Sequence, residues 1–342
     1  MTNLTKLSRR SFMIMPLALA ACKPGWEVFD ISGPTMGTSY RVVAVESARR
    51  LDEAEVRAAI DGALAEVNRQ MSNWDPDSEI SRFNAQQGLA PVAVSSGLAE
   101  VMEAAESVHL ASNGRFDTTM GPMIELWGFG TSGARSMPSE ADIASARTRV
   151  GHANTLTVRQ DALQKRQPDA QIYLAAIGKG YGADHVGRAL EALGISDYLV
   201  EIGGDLYVSG RNPDGLPWQI GIERPAASTR EVLQVVGVTD LGLASSGDYR
   251  NYFEQDGLRF SHLIDPSTGR PVTHRTASAT VLAKNAMLAD AWATALHILG
   301  SDVGLPLAEE QGLAVLFTER KPGADAMQFT TIASSRFAAL VS

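Results

Sequence analysis

Apolar residues in the stretch 52–70 recur at three- and four-residue steps: Val56, Ile60, Ala63, Leu64, Val67 and Met71. That spacing predicts an amphipathic helix. A second helix is predicted from about Gly97 to Ser112, stopped by Asn113-Gly114, and a short one from Ser139 to Arg149, with Ser139 as N-cap and Asp142 three residues on. Helices are also predicted from about Gly180 to Leu193, Ala286 to Leu299 and Ser301 to Gln311, with Gly300 separating the last two. Elsewhere the pattern is that of strands. A pair spans 28–45 around Gly33–Thr38, and 155–173 reads as strands separated by a turn near Gln167-Pro168-Asp169. Tyr198–Val208 reads as one strand, and Trp218–Glu223, Glu231–Val238 and Leu241–Ser245 continue the sheet. Asn251–Glu254 and Leu258–Ile264 flank Gln255-Asp256-Gly257, a hairpin signal, and Ala277–Ala283 and Ala314–Thr318 follow as strands. No repeat period is present, and helix pairs mixed with antiparallel strands place the chain in the α+β class.

The one long apolar run lies at the N-terminus, where Lys6, Arg9 and Arg10 precede Phe12–Ala21. It is too short to span a bilayer and has the form of an export signal. Ser8–Met13 resembles a twin-arginine motif, and Leu19-Ala20-Ala21-Cys22 looks like a bacterial lipobox built around the single cysteine of the chain. The expected organisation is therefore a signal over residues 1–21 and one functional domain over 22–342. The expected location is the periplasmic side of a bacterial membrane, the inner one, held by a lipid anchor at Cys22. The net charge is −9, and the signal carries three basic and no acidic residues, leaving −12 for the rest. Such a surface has no electrostatic attraction for anionic lipid, so the acyl chain would do the anchoring. It also argues against a nucleic-acid partner. One cysteine excludes an intramolecular disulfide and a cysteine-based zinc site. With 44% hydrophobic and 20% charged residues in 342, the chain can bury a substantial core.

Three stretches carry candidate chemistry. Ala175–Asp184 (AAIGKGYGAD) takes a strand through a glycine-rich turn into a helix, where bare N–H groups and Lys179 would attract an anion. An ordinary strand-to-helix turn has the same pattern. Asp290 and Thr294, four apart on a helix, share one face, and a carboxylate with a hydroxyl suits Mg²⁺ completed by carbonyl and phosphate oxygens. A polar stripe on a surface helix also reads this way. His262, on an apolar strand before Asp265-Pro266, is a candidate general base or a core histidine. Glu201–Asp205 places Gly203-Gly204 inside a strand, which signals a bulge or the close approach of a ligand. Gly128–Gly133 matches G-x-G-x-x-G, but its weak strand lead-in and the nearby Pro138 make it a loop.

In order along the chain, GPTMGTSYRV, MSNWDPDSEISRFN, FDTTMGPMIELWGFG, AAIGKGYGADHV, VEIGGDLYVSG, ASSGDYRNYF, FSHLIDPSTGRPV and MLADAWATAL are spread over roughly residues 33–299. Together they resemble the ApbE-type FAD:protein FMN transferase family. The resemblance implies a T-fold-like α+β architecture with mixed or antiparallel sheets and a flavin-binding cleft. It implies FAD as substrate, Mg²⁺ on its diphosphate, and transfer of FMN to a threonine hydroxyl of an acceptor protein with release of AMP. The acceptor would be a flavinylated membrane redox subunit. By the matched motifs, Asp290, Thr294 and the carbonyl of Ala176 would hold the metal, with the backbone of Ala293 as a further ligand. Met36, Trp74, Arg115, Phe116, Asp117, Tyr173, Lys179 and Ile264 would bind FAD, and His262 would be the base. Tyr173 departs from the family's usual aspartate, Trp74 stands where tyrosine is frequent, and Gly178 where alanine is common. A tyrosine donates or stacks but cannot accept as a carboxylate does. The alternatives are a Mg²⁺-dependent FAD pyrophosphatase, in which water replaces threonine, and a non-catalytic flavin-binding lipoprotein.

Overall fold

The computed structural model describes residues 26–47, 50–130, 133, 135–226, 231–321 and 328–341. The signal, the lipobox and Cys22 lie outside the described residues, as does part of the Gly128–Pro138 loop. Strands β1 (Glu27–Thr35) and β2 (Thr38–Glu46) form the predicted hairpin. Helix α1 (Glu53–Met71) buries all six residues of the predicted stripe, and Asp52 and Glu55 close a reciprocal capping box at its start. Helix α2 (Glu79–Ala85), strand β3 (Val92–Ala93) and α3 (Ser96–Ala111) follow. Next come α4 (Gly121–Leu126), α5 (Glu140–Arg147, capped by Ser139) and α6 (His152–Thr155). Strands β4 (Leu156–Arg159) and β5 (Ala162–Lys165) pair with β3. Then come α7 (Gly178–Ala192), β6 (Asp197–Ile202), β7 (Asp205–Ser209), β8 (Trp218–Glu223), β9 (Val232–Val238) and β10 (Leu241–Gly247). Two small hairpins pair β11 (Tyr252–Gln255) with β12 (Leu258–Ser261), and β13 (Ile264–Asp265) with β14 (Arg270–Pro271). The chain closes with β15 (Thr276–Ala283), α8 (Ala286–Glu310), β16 (Ala314–Arg320), β17 (Phe329–Ala333) and α9 (Ser335–Val341).

The expected α+β class holds, and every strand pair among the described residues is antiparallel. Eight strands form one sheet in the order β1-β2-β6-β7-β10-β15-β16-β17. Helices α1, α7 and α8 cover one face; the β8–β9 ribbon and α9 cover the other. Gly300 is non-helical (φ 69°, ψ 170°), so the long α8 breaks where the sequence predicts two helices to meet.

Four sequence expectations need correction. Tyr198–Val208 is two strands: Gly203 and Gly204 both have positive φ (58° and 101°) and make the two-residue turn of a hairpin, not a bulge. The turn within 155–173 falls at Gln160-Asp161, and 166–173 runs on as irregular chain. The β8–β9 ribbon is a separate two-stranded sheet and does not continue the main one. Helices α2, α4, α6 and α9 and strands β3, β14 and β17 were not anticipated; the four helices have four to seven residues, too few to display a stripe.

Candidate active site

Residues 172–177 lead into α7 as irregular chain, and side-chain amides hold them in place. Asn84 pairs with both backbone groups of Ile172 (Oδ1 accepting from N at 2.8 Å, Nδ2 donating to O at 2.9 Å). Asn73 donates to the same carbonyl at 2.7 Å and accepts from the N–H of Leu174 at 3.0 Å. These four bonds replace a missing strand partner, since buried backbone groups need one. They fix the path of Tyr173 and Ala176 before the chain turns into the helix that carries Lys179.

Helix α8 starts against α7. The buried carboxylate of Asp184 accepts from the N–H groups of Ala286 and Met287 at 2.8 and 2.9 Å, while Asn285 caps Leu288. One turn into α8, Asp290 Oδ2 accepts from the N–H of Gly180 at 3.2 Å and lies 3.8 Å from Lys179 Nζ. Lys179 also forms a close ion pair with Asp205, the first residue after the Gly203-Gly204 turn. Asp290 and Asp205 are 5% and 3% exposed. Burial, reinforced by the Asp205 charge, pushes the Asp290 carboxyl up to about 7. Burial opposes charge on Lys179, but Asp205 and Asp290 outweigh it and hold the ammonium above the usual lysine range.

A cavity of about 470 Å³ opens on this cluster. Ten of the predicted site residues line it: Arg115, Phe116, Asp117, Tyr173, Ala176, Lys179, His262, Ile264, Asp290 and Thr294. Met36 and Trp74 line an adjoining recess of about 110 Å³ that shares Lys179 and Ala175 with it. Trp74 is 63% exposed and meets the edge of Tyr173, ring centroids 5.9 Å apart at 68°. Ala293, a predicted further metal ligand, sits in the hydrophobic core with 1% of its surface exposed. The carboxylate of Asp117 already accepts from Thr119 N and Oγ1 (2.7 and 2.6 Å) and from His152 N (3.2 Å). Those bonds fix the carboxylate where Asp117 lines the cavity wall. Arg115 pairs with Asp265 at 3.6 Å. The buried Tyr173 hydroxyl has no hydrogen-bond partner among the described residues, and burial raises its pKa.

His262 Nδ1 lies 3.1 Å from the carbonyl of Asn251. A carbonyl only accepts, so Nδ1 carries the proton and Nε2 the lone pair. Burial lowers the imidazole pKa and keeps the ring neutral, as a proton acceptor requires.

The donor set fits a divalent cation. Two buried carboxylates share one ammonium, and a cation at Asp290 would take the place of the proton that burial favours there. Thr294 supplies a hydroxyl and Ala176 a carbonyl beside it. All are oxygen donors, the preference of Mg²⁺. Among the described residues no three His, Cys, Asp or Glu side chains converge as a metal site, so a cation here depends on those neutral oxygens and on substrate phosphate.

Sequence reasoning passed over Asp205, whose signal was the Gly-Gly-Asp string after an apolar strand. It also passed over Asp184, a carboxylate in a small-residue stretch, and over Asn73 and Asn84, which stand in polar stretches where nothing sets them apart.

A model of the ApbE family matches residues 36–317. A Vibrio cholerae protein named FAD:protein FMN transferase is 41% identical over 300 residues, covering 88% of this chain and 90% of that protein. An Escherichia coli K12 protein of the same name is 38% identical over 295 residues, covering 84% and 83%. Among solved structures, the flavin transferase ApbE from Vibrio cholerae superposes with a TM-score of 0.84 at 39% identity, over 92% of this chain and 99% of that one. The apo Pseudomonas stutzeri flavinyl transferase ApbE gives 0.83 at 37%, over 92% and 97%.

Proposed function

The chain belongs to the ApbE family, and from that premise we infer how its cavity works. The protein is an enzyme that transfers FMN from FAD to a target protein. The acceptor atom is a threonine hydroxyl on a membrane redox subunit, and the product is a phosphoester. The hydroxyl oxygen attacks the FMN-side phosphorus, the bond from that phosphorus to the bridging oxygen breaks, AMP leaves, and the hydroxyl proton passes to Nε2 of His262. Threonine is a weak nucleophile without such a base. Lys179, held charged by its two carboxylates, meets the diphosphate, and the N-terminus of α7 faces the same charge. Asp290, Thr294 and the carbonyl of Ala176 would hold Mg²⁺, which when bound neutralises diphosphate charge and stabilises the departing AMP oxygen. Trp74 and Met36 offer the flavin a surface in the open recess. Tyr173 offers a free hydroxyl where the family resemblance implies an aspartate, so this chain donates a hydrogen bond there instead of accepting one. A lipid on Cys22 would hold the domain to the periplasmic face of the membrane, where such acceptors are reached.

The observation that carries this reading is one cavity joining Lys179, Asp290, Thr294 and Ala176 to the lone pair of His262. The test is intact-mass spectrometry of a threonine-bearing acceptor after incubation with FAD, Mg²⁺ and enzyme. The acceptor should gain one FMN with wild type and none with Asp290→Ala. Stoichiometric FMN release without acceptor would favour hydrolysis, and flavin binding with neither product would leave only a carrier.

A further inference from the structure

One carbonyl determines how the His262 ring sits. The oxygen of Asn251 accepts from the His262 backbone N–H and from its Nδ1–H, each at 3.1 Å. The direction of the Nε2 lone pair therefore depends on residues 248–251, which join β10 to β11 as irregular chain. That link has no strand ladder of its own, and groups from four other parts of the fold hold it. At its start the Asp248 N–H donates to the Ala277 carbonyl on β15 at 3.2 Å. The Asp248 carboxylate forms a two-point ion pair with Arg320, the last residue of β16, with Oδ2 3.0 Å from Nη1. Arg259 on β12 donates to the Asp248 carbonyl at 2.9 Å, its guanidinium lying 3.7 Å from the centre of the Tyr252 ring. At the far end Arg135 donates to Asn251 Oδ1 at 2.7 Å and to the Tyr252 carbonyl at 3.0 Å. The three arginine contacts are charge-assisted, the strong kind of hydrogen bond.

Asp248 is 7% exposed and does not line the cavity, so it meets neither substrate nor reacting atoms. Its field nevertheless reaches the ring. The charges acting on His262 are Asp248, which favours the imidazolium, and Lys179 of α7 and Arg135 of the loop before α5, which oppose it. Taking a proton makes the ring a third cation beside those two. Asp248 is the one negative charge of the set, and a base that becomes positive in such company is helped by a fixed counter-charge.

Resting on the reading of His262 as the proton acceptor, we propose that Asp248 is a positioning residue for that base: clamped by Arg320, it sets the Asn251 carbonyl that orients the ring and supplies the counter-charge for the imidazolium.

The experiment compares the full-length wild type with Asp248→Asn, Arg320→Gln and the double variant. Each single change breaks the same ion pair, so a merely structural role predicts the same effect from both. The proposal predicts opposite ones. NMR of ring-labelled histidine reads the titration directly, with the His262 signal assigned by its loss in His262→Ala. D248N removes the negative charge and leaves Arg320 positive, so His262 should titrate at lower pH than in wild type. R320Q leaves the carboxylate without its partner, so His262 should titrate at higher pH, and the double variant should return toward wild type. With FAD, Mg²⁺ and acceptor, both single variants should lose kcat, by up to about 100-fold as the ring is misplaced. KM for FAD should stay within about twofold, which also shows that the variants are folded. Shifts of one sign in both single variants, no shift in either, or a raised KM with unchanged kcat would overturn the proposal. Should one single variant not fold, the sign of the shift in the other decides. Undiminished transfer by His262→Ala, or none by wild type, would instead remove the reading of His262 as the base, and the proposal with it.

Discussion

Gly180 is where the two helices of the site touch, and replacing it with alanine is a severe and readable perturbation. A Cβ built there lies 2.2 Å from the carbonyl oxygen of Ala286, 2.6 Å from its carbon and 2.8 Å from Met287 Cα. All three are backbone atoms, so no side chain can swing aside. Carbon and oxygen need more than 3 Å, so α7 and α8 must part by about 1 Å. That movement stretches the Gly180 N–H to Asp290 bond and draws Lys179 away from the carboxylate that lies 3.8 Å from it. Overpacking of this kind costs about 1–3 kcal/mol, and a misplacement of about 1 Å in a catalytic constellation can cost about 100-fold in rate. Helix propensity pulls the other way, since alanine in a helix interior is favoured over glycine by about 1 kcal/mol. Gly62, inside α1 with nothing within 4 Å of a built Cβ, isolates that term. Thermal unfolding should therefore show Gly62→Ala raising Tm and Gly180→Ala lowering it by several degrees, with transfer to acceptor reduced by about two orders of magnitude. A Gly180→Ala protein as stable as Gly62→Ala, with undiminished transfer, would refute the close approach of these helices as the source of the site's geometry.

Other expectations follow from single groups. His262→Ala should leave the FAD dissociation constant within about twofold while slowing transfer by about 10²–10⁴-fold, the span of general-base assistance; lost binding with a normal rate would make the residue structural. Asp290→Ala should abolish both transfer and the Mg²⁺ dependence of FAD binding, and titration calorimetry with Mg²⁺ checks the second. Burial pushes the Asp184 carboxyl up to about 7 despite the donors Ala286 and Met287. A raised folded-state pKa gives stability that is present below pH ~4 and lost as pH rises through 7, at most about 4 kcal/mol. The Tm difference between wild type and Asp184→Asn should accordingly shift against wild type from pH 5 to pH 8, and a pH-independent difference would contradict the burial of that carboxyl.

What the sequence disclosed follows from the range of each interaction. The α1 stripe, the Ser139 cap, the Asp256-Gly257 hairpin and the break at Gly300 are local, and all four stand where the pattern puts them. Gly203-Gly204 was equally local, but two apolar runs of matching character hid the turn between them. Irregular chain at 166–173 resembles strand because Ile172 and Leu174 are buried and apolar; its partners are the side chains of Asn73 and Asn84, roughly 90–100 residues away. The site shows the same division. Asp290 and Thr294 share a helix face and were legible as a pair. The Asp205–Lys179 pair joins a hairpin turn to a helix 26 residues before it, and no periodicity encodes such a contact.

The central claim is that the pyrophosphate of FAD lies between Lys179 and the Asp290–Thr294 turn of α8, within reach of the His262 lone pair. A crystal structure of the protein soaked with FAD and Mg²⁺ tests it most directly. The account predicts diphosphate oxygens at Lys179 Nζ, a cation joining them to Asp290, Thr294 and the Ala176 carbonyl, and the FMN-side phosphorus facing His262. Diphosphate bound away from this cluster, with no cation at Asp290, would contradict it.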